Sequence, residues 1–268
     1  MGGGRVTSID GLRGVLALIV VYQHTEGCVF HGRTDALGQF AVLAFFTISG
    51  YVLTRSWDGD FLAFLARRFV RLWPLFALCL AFGAWLHSAK PEWTYFFWWP
   101  FVYDPEKSSV LQLDDAVWSL FVEAWAALFM PLIVWCGRSS IRTFAVAAIG
   151  VVGFQFDRCF LYATLFVVGA FFADCEFDLR ALNGPVVQWL GRISYSLYLT
   201  HLFVVRFLEA HFPVGECAEI ALTLVVAQLV CLAIEQPSIV LSRRAGRAVK
   251  HLRAGVVARF GLMREVDA

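Results

Sequence analysis

Charge is what this sequence has least of. Acidic and basic residues fill 16% of its 268 positions, whereas a soluble domain carries about 25%. Hydrophobic residues reach 59% and mean hydropathy is +0.68. Because the apolar runs recur along the whole length, these values exclude an ordinary water-soluble domain and predict a polytopic membrane protein. Lysine is nearly missing: Lys90, Lys107 and Lys250 stand against nineteen arginines, the 22 basic residues less three. That imbalance reads as composition bias. A net charge of +1 gives no global basic signal for nucleic acid. The seven cysteines, at 28, 79, 136, 159, 175, 217 and 231, form neither a CxxC pair nor a His-Cys cluster. No metal site and no disulfide framework is expected, and most of them read as small buried hydrophobes. There is no GxSxG elbow and no Walker-type glycine loop, so hydrolase and nucleotidase readings have no support. Internal repeats and low-complexity tracts are also missing. The first apolar run ends in Gln23-His24-Thr25-Glu26 rather than a small-residue cleavage site, and Val6 does not suit an N-myristoylation signal.

What is abundant is aromatic and aliphatic. With 26 Phe and 10 Trp, the composition fits a helix bundle with interfacial aromatic belts. The expected fold is all-α, a bundle of about eight transmembrane helices, near 12–30, 36–54, 69–87, 115–136, 141–156, 159–174, 190–209 and 218–240. The fifth and sixth are short against the roughly 20 residues a bilayer demands, which predicts tilted, extended or re-entrant segments. Residues 93–103 are too short and aromatic for a span and read as interfacial. Residues 1–242 form one transmembrane domain, and 243–268 form a basic cytoplasmic tail. With the N-terminus inside, 17 basic residues fall on inner segments and 5 on outer ones, which sets both termini in the cytoplasm. The spacing Arg243-Arg244-x-x-Arg247-x-x-Lys250-x-x-Arg253 reads as an amphipathic segment on the anionic inner leaflet.

Against this background a few polar residues stand out, because an ionisable group in lipid is costly. Arg13 and His24 lie eleven positions apart in an apolar run. Eleven steps of about 100° return to within about 20° of one helical face, with a rise of roughly 16 Å. Arg13 therefore sits at the inner surface and His24 partway through the bilayer. A neutral imidazole there suits proton abstraction from a hydroxyl; a snorkelling Arg13 and a helix that stops at Tyr22 are the plainer readings. Arg67, Arg68 and Arg71 open the third span. Arg67 and Arg71 share a face at i,i+4 and can grip phosphates through forked guanidinium donors, or merely set orientation. Glu123, one turn after Ser119, is an intramembrane carboxyl that is either functional or the partner of a buried arginine. Glu235 is a second such carboxyl, read as structural, and Pro237 is expected to bend or end the last helix. Ser194, Tyr198 and His201 form a polar stripe at i, i+4, i+7.

Taken in order, these pieces resemble the acyltransferase-3 family of integral membrane O-acyltransferases. The resemblance rests on Ile9-Asp10-Gly11-Leu12-Arg13-Gly14 followed by His24, on Phe45-Phe46-Thr47-Ile48-Ser49-Gly50-Tyr51, and on Arg67-Arg68-x-x-Arg71-x-x-Pro74. It continues through Trp118-Ser119-Leu120-x-x-Glu123, Gly191-x-Ile193-Ser194-Tyr195-Ser196-Leu197-Tyr198-Leu199-x-His201 and Glu235-x-Pro237, and so covers nearly the whole chain. It implies transfer of an acyl group, often acetyl, from a cytoplasmic donor such as acetyl-CoA to a hydroxyl of a sugar, glycan, lipid or natural product. Acyl-CoA is then a substrate, and no permanently bound cofactor is implied. In that reading His24 and Arg13 are catalytic, and Glu123 orients His24 or tunes its charge. Arg67, Arg68 and Arg71 bind the donor phosphates, while Tyr198 and His201 shape the acceptor side. Family members usually have about ten spans; here only residues 175–189 lie where two more helices belong. The alternative is a non-enzymatic relative or an acyl-donor carrier.

Overall fold

The computed structural model describes residues 7–25, 34–86, 116–212 and 214–266, with side chains placed for 7–25, 36–86, 116–212 and 214–256. The described residues are helical and contain no strand. Ten α-helices follow one another: α1 Thr7–His24, α2 Thr34–Ser56, α3 Phe61–Leu86, α4 Trp118–Leu128, α5 Met130–Gly137, α6 Ser140–Gly153, α7 Arg158–Phe171, α8 Pro185–His211, α9 Glu216–Val230 and α10 Gln236–Val266. Residues 93–103 lie outside the described residues.

The outside of the bundle is apolar. Ile141 is 80% exposed, Phe144 71% and Phe156 84%, a surface that water does not tolerate and lipid does. Among the described residues, two helices, Ala36–Ser56 and the continuous Glu216–Val256, are long and apolar enough to cross a membrane. The consecutive helices α4 and α5 give a third candidate, bent by 74°. The bend falls at Phe129, where Pro131 at the head of α5 lacks the N–H that a continuous helix needs. The expected single segment 115–136 is therefore two helices. α1, α3 and α8 run 18, 26 and 27 residues and carry the arginines and histidines of interest. α6 and α7 are 14 residues each, as short as the sequence implied.

The helices form four apolar cores that share neighbours. Leu75, Phe76 and Leu80 of α3 meet Leu120 and Phe121 of α4 and Leu199 and Phe203 of α8. Phe46 and Leu53 of α2 pack with Phe64, Met130 and Phe166. Leu16 and Val20 of α1 lie against Ile48 and Tyr51, and Ala17 and Val21 against Ile193, Leu197 and Ala227. Cys79, Cys136 and Cys231 are buried, but Cys159, Cys175 and Cys217 are exposed on the bundle, so the buried-hydrophobe expectation describes only half of these six.

Glycines set the closest crossings. A Cβ at Gly14 would collide with the Gly191 backbone, and one at Gly191 with the Asp10 carbonyl. α1 and α8 thus touch backbone to backbone at the two glycine motifs, as small residues allow between membrane helices. They run parallel, since Gln188 Nε2 donates to the Thr7 carbonyl at 2.7 Å while His24 lies beside His201. α2 and α7 are also parallel: Phe46 meets Tyr162 and Arg55 donates to the Ala173 carbonyl at 3.0 Å. α3 and α10 are antiparallel, with Gly246 against Arg67 and Ile234 against the Leu72–Leu80 core.

Residues 175–184 form a short connection with a 3₁₀ turn at Arg180–Leu182. It is tied to the start of α1, with Leu179 N donating to Ser8 Oγ at 2.9 Å. Of the two readings of Pro237, a bend or an end, the end is corrected: the helix continues past it. A π-helical turn over Cys231–Glu235 precedes it; its altered hydrogen-bond register accommodates the proline, and α10 runs on for 31 residues. The basic segment is held by the α2–α3 turn, where Asp58 pairs with Lys250 at 2.7 Å and Asp60 with Arg253 at 2.9 Å. Gly59 sits between them at φ +82°, a left-handed conformation that favours glycine.

Candidate active site

Beside the α1–α8 contact lies a small, half-open cleft. Arg13 of α1, Ser49 of α2, Arg68 and Arg71 of α3, Glu123 of α4 and Tyr195 of α8 line it, together with Ile48, Val52, Leu53 and Leu72. Three guanidiniums against one carboxylate leave this lining at net +2. Arg68 is ion-paired with Glu123, and Ser49 Oγ donates to Glu123 Oε1 at 3.4 Å. Tyr195 Oη donates to the Leu72 carbonyl at 2.9 Å, fixing α8 to α3 at the wall of the cleft. Such a site suits a multiply charged anion, since forked guanidiniums match phosphate oxygens.

Arg67 does not join it. Its guanidinium pairs with Asp58 at 3.1 Å and its stem packs on Gly246. The i,i+4 pairing of Arg67 with Arg71 is therefore corrected. Arg68 and Arg71, at i,i+3, share the inward face, because the Asp58 carboxylate and α10 hold Arg67 on the other side of α3. Asp58 explains this hold. Burial alone would raise its pKa, but hydrogen bonds from Lys250 and Arg67 outweigh that and bring it from 3.8 to about 2.

His24 belongs to a second cluster. The helix reaches it, and its Nδ1 donates to the Val20 carbonyl at 2.8 Å. Since a carbonyl only accepts, that nitrogen carries the proton and Nε2 presents a lone pair. His201 repeats the arrangement: Nδ1 donates to the Tyr198 carbonyl at 2.7 Å, and the side chain is fully buried. The two rings lie 5.0 Å apart, edge to face at 61°. Tyr198 stands next to His201, with ring centroids 6.0 Å apart. Its hydroxyl is 2.8 Å from Ser119 Oγ. Ser119 gives its one proton to the Ala116 carbonyl, so Tyr198 donates to Ser119. Tyr198 also packs against Phe45.

The sequence residues thus divide into two groups. Arg13, Arg68, Arg71 and Glu123 share the cleft; His24, His201 and Tyr198 share the second cluster. Glu123 is not the partner of His24, since Arg68 and Ser49 hold it at the arginine end. α4 serves both groups, because Ser119 and Glu123, one turn apart, face one each. Glu235 is buried at the π turn and accepts from Ser196 Oγ at 2.7 Å, a packing role. Ser49 and Tyr195 line the cleft; the motif pattern contained them but the polar-residue argument did not single them out. A serine next to Gly50 and a tyrosine beside the polar stripe look like helix-packing residues until their partners are known.

The helical scaffold of the described residues, with its cationic cleft and its pair of neighbouring imidazoles, now has a family. Residues 6–175 match the acyltransferase-3 family, described as an acyltransferase domain, and the chain belongs to it. Among curated proteins it is similar to Protein 2 in the picA locus of Rhizobium radiobacter, 41% identical over 87 residues, 30% of this chain and 44% of that protein. It is also similar to proteins of Staphylococcus aureus provisionally named O-acetyltransferases. In strain MRSA252 the identity is 27% over 103 residues, 36% of this chain and 16% of that protein. In strain N315 it is 30% over 80 residues, 28% and 13% respectively. The chain spans less than half the length of these relatives. No solved structure matches it.

Proposed function

We propose that the chain is a membrane O-acyltransferase that moves an acyl group, acetyl in the first instance, from acyl-CoA to a hydroxyl of a carbohydrate or lipid-linked acceptor. The carrying observation is the division of polar residues along α1: a cleft with three arginines at Arg13, and two imidazoles at His24, roughly 16 Å further along the helix. The cleft holds the donor phosphates, and the thioester extends along α1. His24 Nε2 takes the proton of the acceptor hydroxyl as its oxygen attacks the thioester carbon. The C–O bond forms and the C–S bond breaks; the thiolate leaves and is protonated to the free thiol.

The helix directions support a crossing order of eight, with α4 and α5 as one bent span and α9 with the start of α10 as the last. Alternating crossings make α1 and α8 the first and seventh, hence parallel, and α2 and α7 the second and sixth, also parallel. α3 and α10 become third and eighth, hence antiparallel. All three relations agree with the packing above. With residues 93–103 taken as interfacial rather than spanning, a re-entrant α4–α5 pair would reverse the relation of α2 to α7. The arginine bias then puts both termini and the cleft on the cytoplasmic side, where acyl-CoA is found.

The test is transfer of label from acetyl-CoA in membranes carrying the wild-type chain, His24→Ala or Arg13→Ala. Both variants should lose at least about 10²-fold. Undiminished labelling in either removes that residue from the mechanism. Absence of labelling and thiol release in the wild type would favour the carrier reading.

A further inference from the structure

His24 and His201 share an unusual hydrogen-bonding state. Each spends its Nδ1 proton on a carbonyl of its own helix, so each neutral ring offers only an Nε2 lone pair. His201 Nε2 is buried and has no hydrogen-bond partner, and a buried acceptor left in that state costs free energy until a donor arrives. His24 does not supply that donor while it is the neutral base, because its own Nε2 is also a lone pair. With ring centroids 5.0 Å apart, two acceptors and no donor stand side by side. A ligand with a single hydroxyl satisfies one of them.

We propose that His201 is a specificity-determining residue that accepts a hydrogen bond from a second hydroxyl of the acceptor, adjacent to the one His24 deprotonates. The preferred acceptor class is therefore a 1,2-diol. Rings this close suit two hydroxyls on neighbouring carbons of one molecule, each donating at about 2.8 Å. The backbone-to-backbone crossing of α1 and α8 at Gly14 and Gly191 holds the rings in register, so the spacing of the two hydroxyls is read against a rigid ruler. His201 takes no proton in the reaction: His24 Nε2 receives it, the ester bond forms at that oxygen, and the neighbouring hydroxyl stays intact. This inference rests on the transfer reading above and adds the donor count of the acceptor.

The experiment uses the purified full chain in lipid nanodiscs with acetyl-CoA and two small probes, ethylene glycol and 2-methoxyethanol. Both carry the same primary hydroxyl, but the second oxygen of the ether donates nothing. Ester formation is measured by mass spectrometry and thiol release in parallel. The wild type should favour the glycol by about tenfold, the order of one hydrogen bond to a buried group. Ethylene glycol offers two equivalent hydroxyls, so in His201→Leu the ratio should fall to the statistical value of about two, and in His201→Gln, which keeps an acceptor oxygen, part of the preference should return. A wild-type ratio no larger than that statistical value, ester from neither, or an undiminished ratio in His201→Leu would each overturn the proposal. The wild-type ratio needs no variant, so a misfolded His201→Leu leaves the test intact. If membrane labelling still depends on His24 but the glycol preference is missing, only the diol inference falls. If the wild type labels no acceptor at all, the transfer reading falls with it.

Discussion

Gly14→Ala should disable this protein without unfolding it. A Cβ at Gly14 would lie 2.7 Å from the Leu190 carbonyl carbon and 2.7 Å from its Cβ, and would collide with the Gly191 amide. Carbon atoms rest about 3.5–4.0 Å apart, so the two helices must separate by about 1 Å. The obstructing atoms are mainly backbone, and no side-chain rotation relieves them. Overpacking of this kind costs about 1–3 kcal/mol, of which alanine's better helix propensity offsets up to about 1 kcal/mol. The net loss of stability is then about 2 kcal/mol or less. Function should suffer more. Arg13 and His24 ride on α1, whereas Tyr195, Tyr198 and His201 ride on α8, and a 1 Å misplacement of reacting groups costs about 10²-fold in rate.

The assay pairs acetyl transfer in membranes with thermal unfolding of the detergent-solubilised chain. Gly255→Ala is the control: nothing lies near its added Cβ, it sits in exposed helix α10, and it should leave transfer unchanged while stabilising by up to about 1 kcal/mol. Wild-type transfer in Gly14→Ala would refute the claim that the α1–α8 spacing sets the site. So would an equal loss in Gly255→Ala.

Glu123→Ala should destabilise by about 3–5 kcal/mol, because Arg68 keeps its charge in a largely covered site without its partner. The double variant Arg68→Met with Glu123→Met should recover that stability in thermal unfolding, yet not recover acetyl transfer. The Asp58 clamp has a pH signature. Its folded pKa of about 2 lies below the ordinary 3.8, so its contribution is complete above about pH 4 and is lost as pH falls toward 2. Asp58→Asn should flatten that acid-side decline in unfolding midpoint, and an unchanged decline would place its origin elsewhere.

Much of this was legible before any coordinates, for a physical reason. Lipid punishes ionisable groups, so the few that occur draw attention: Arg13, His24 and Glu123 stood out on that ground, Arg68 and Arg71 as part of a cluster, and His201 as part of a polar stripe. Periodicity along one helix also predicted that α1 would carry Arg13 and His24 on one face, and the helix does reach His24. What one helix's periodicity does not contain is the neighbour. Arg67 shares a face with Arg71 by arithmetic, yet Asp58, nine residues earlier, and Gly246, far along the chain, decide where it points. Glu123 had a buried arginine or His24 as candidate partner, and the packing of α4 on α3 settled on Arg68. Pro237 was read by its local rule, which the π turn before it circumvents.

The glycines change how the motifs are understood. Gly11, Gly14 and Gly191 flank residues of evident chemistry and contribute none, but they allow α1 and α8 to meet at backbone distance. Gly50 and Gly169 do the same for α2 and α7, where added Cβ atoms would strike the Phe166 and Thr47 carbonyls. Ser49, beside Gly50, is thereby presented to Glu123, and Arg13, beside Gly14, to the same cleft. Each motif is thus a pair: a glycine that fixes how closely two helices approach, and a polar neighbour whose position depends on that approach. It follows that exchanging the polar residue should alter chemistry at constant geometry, whereas exchanging the glycine should alter the geometry of both clusters at once. Gly14→Ala is predicted to weaken the arginine cleft and the imidazole pair together, a joint loss that no single substitution at Arg13 or His24 would produce.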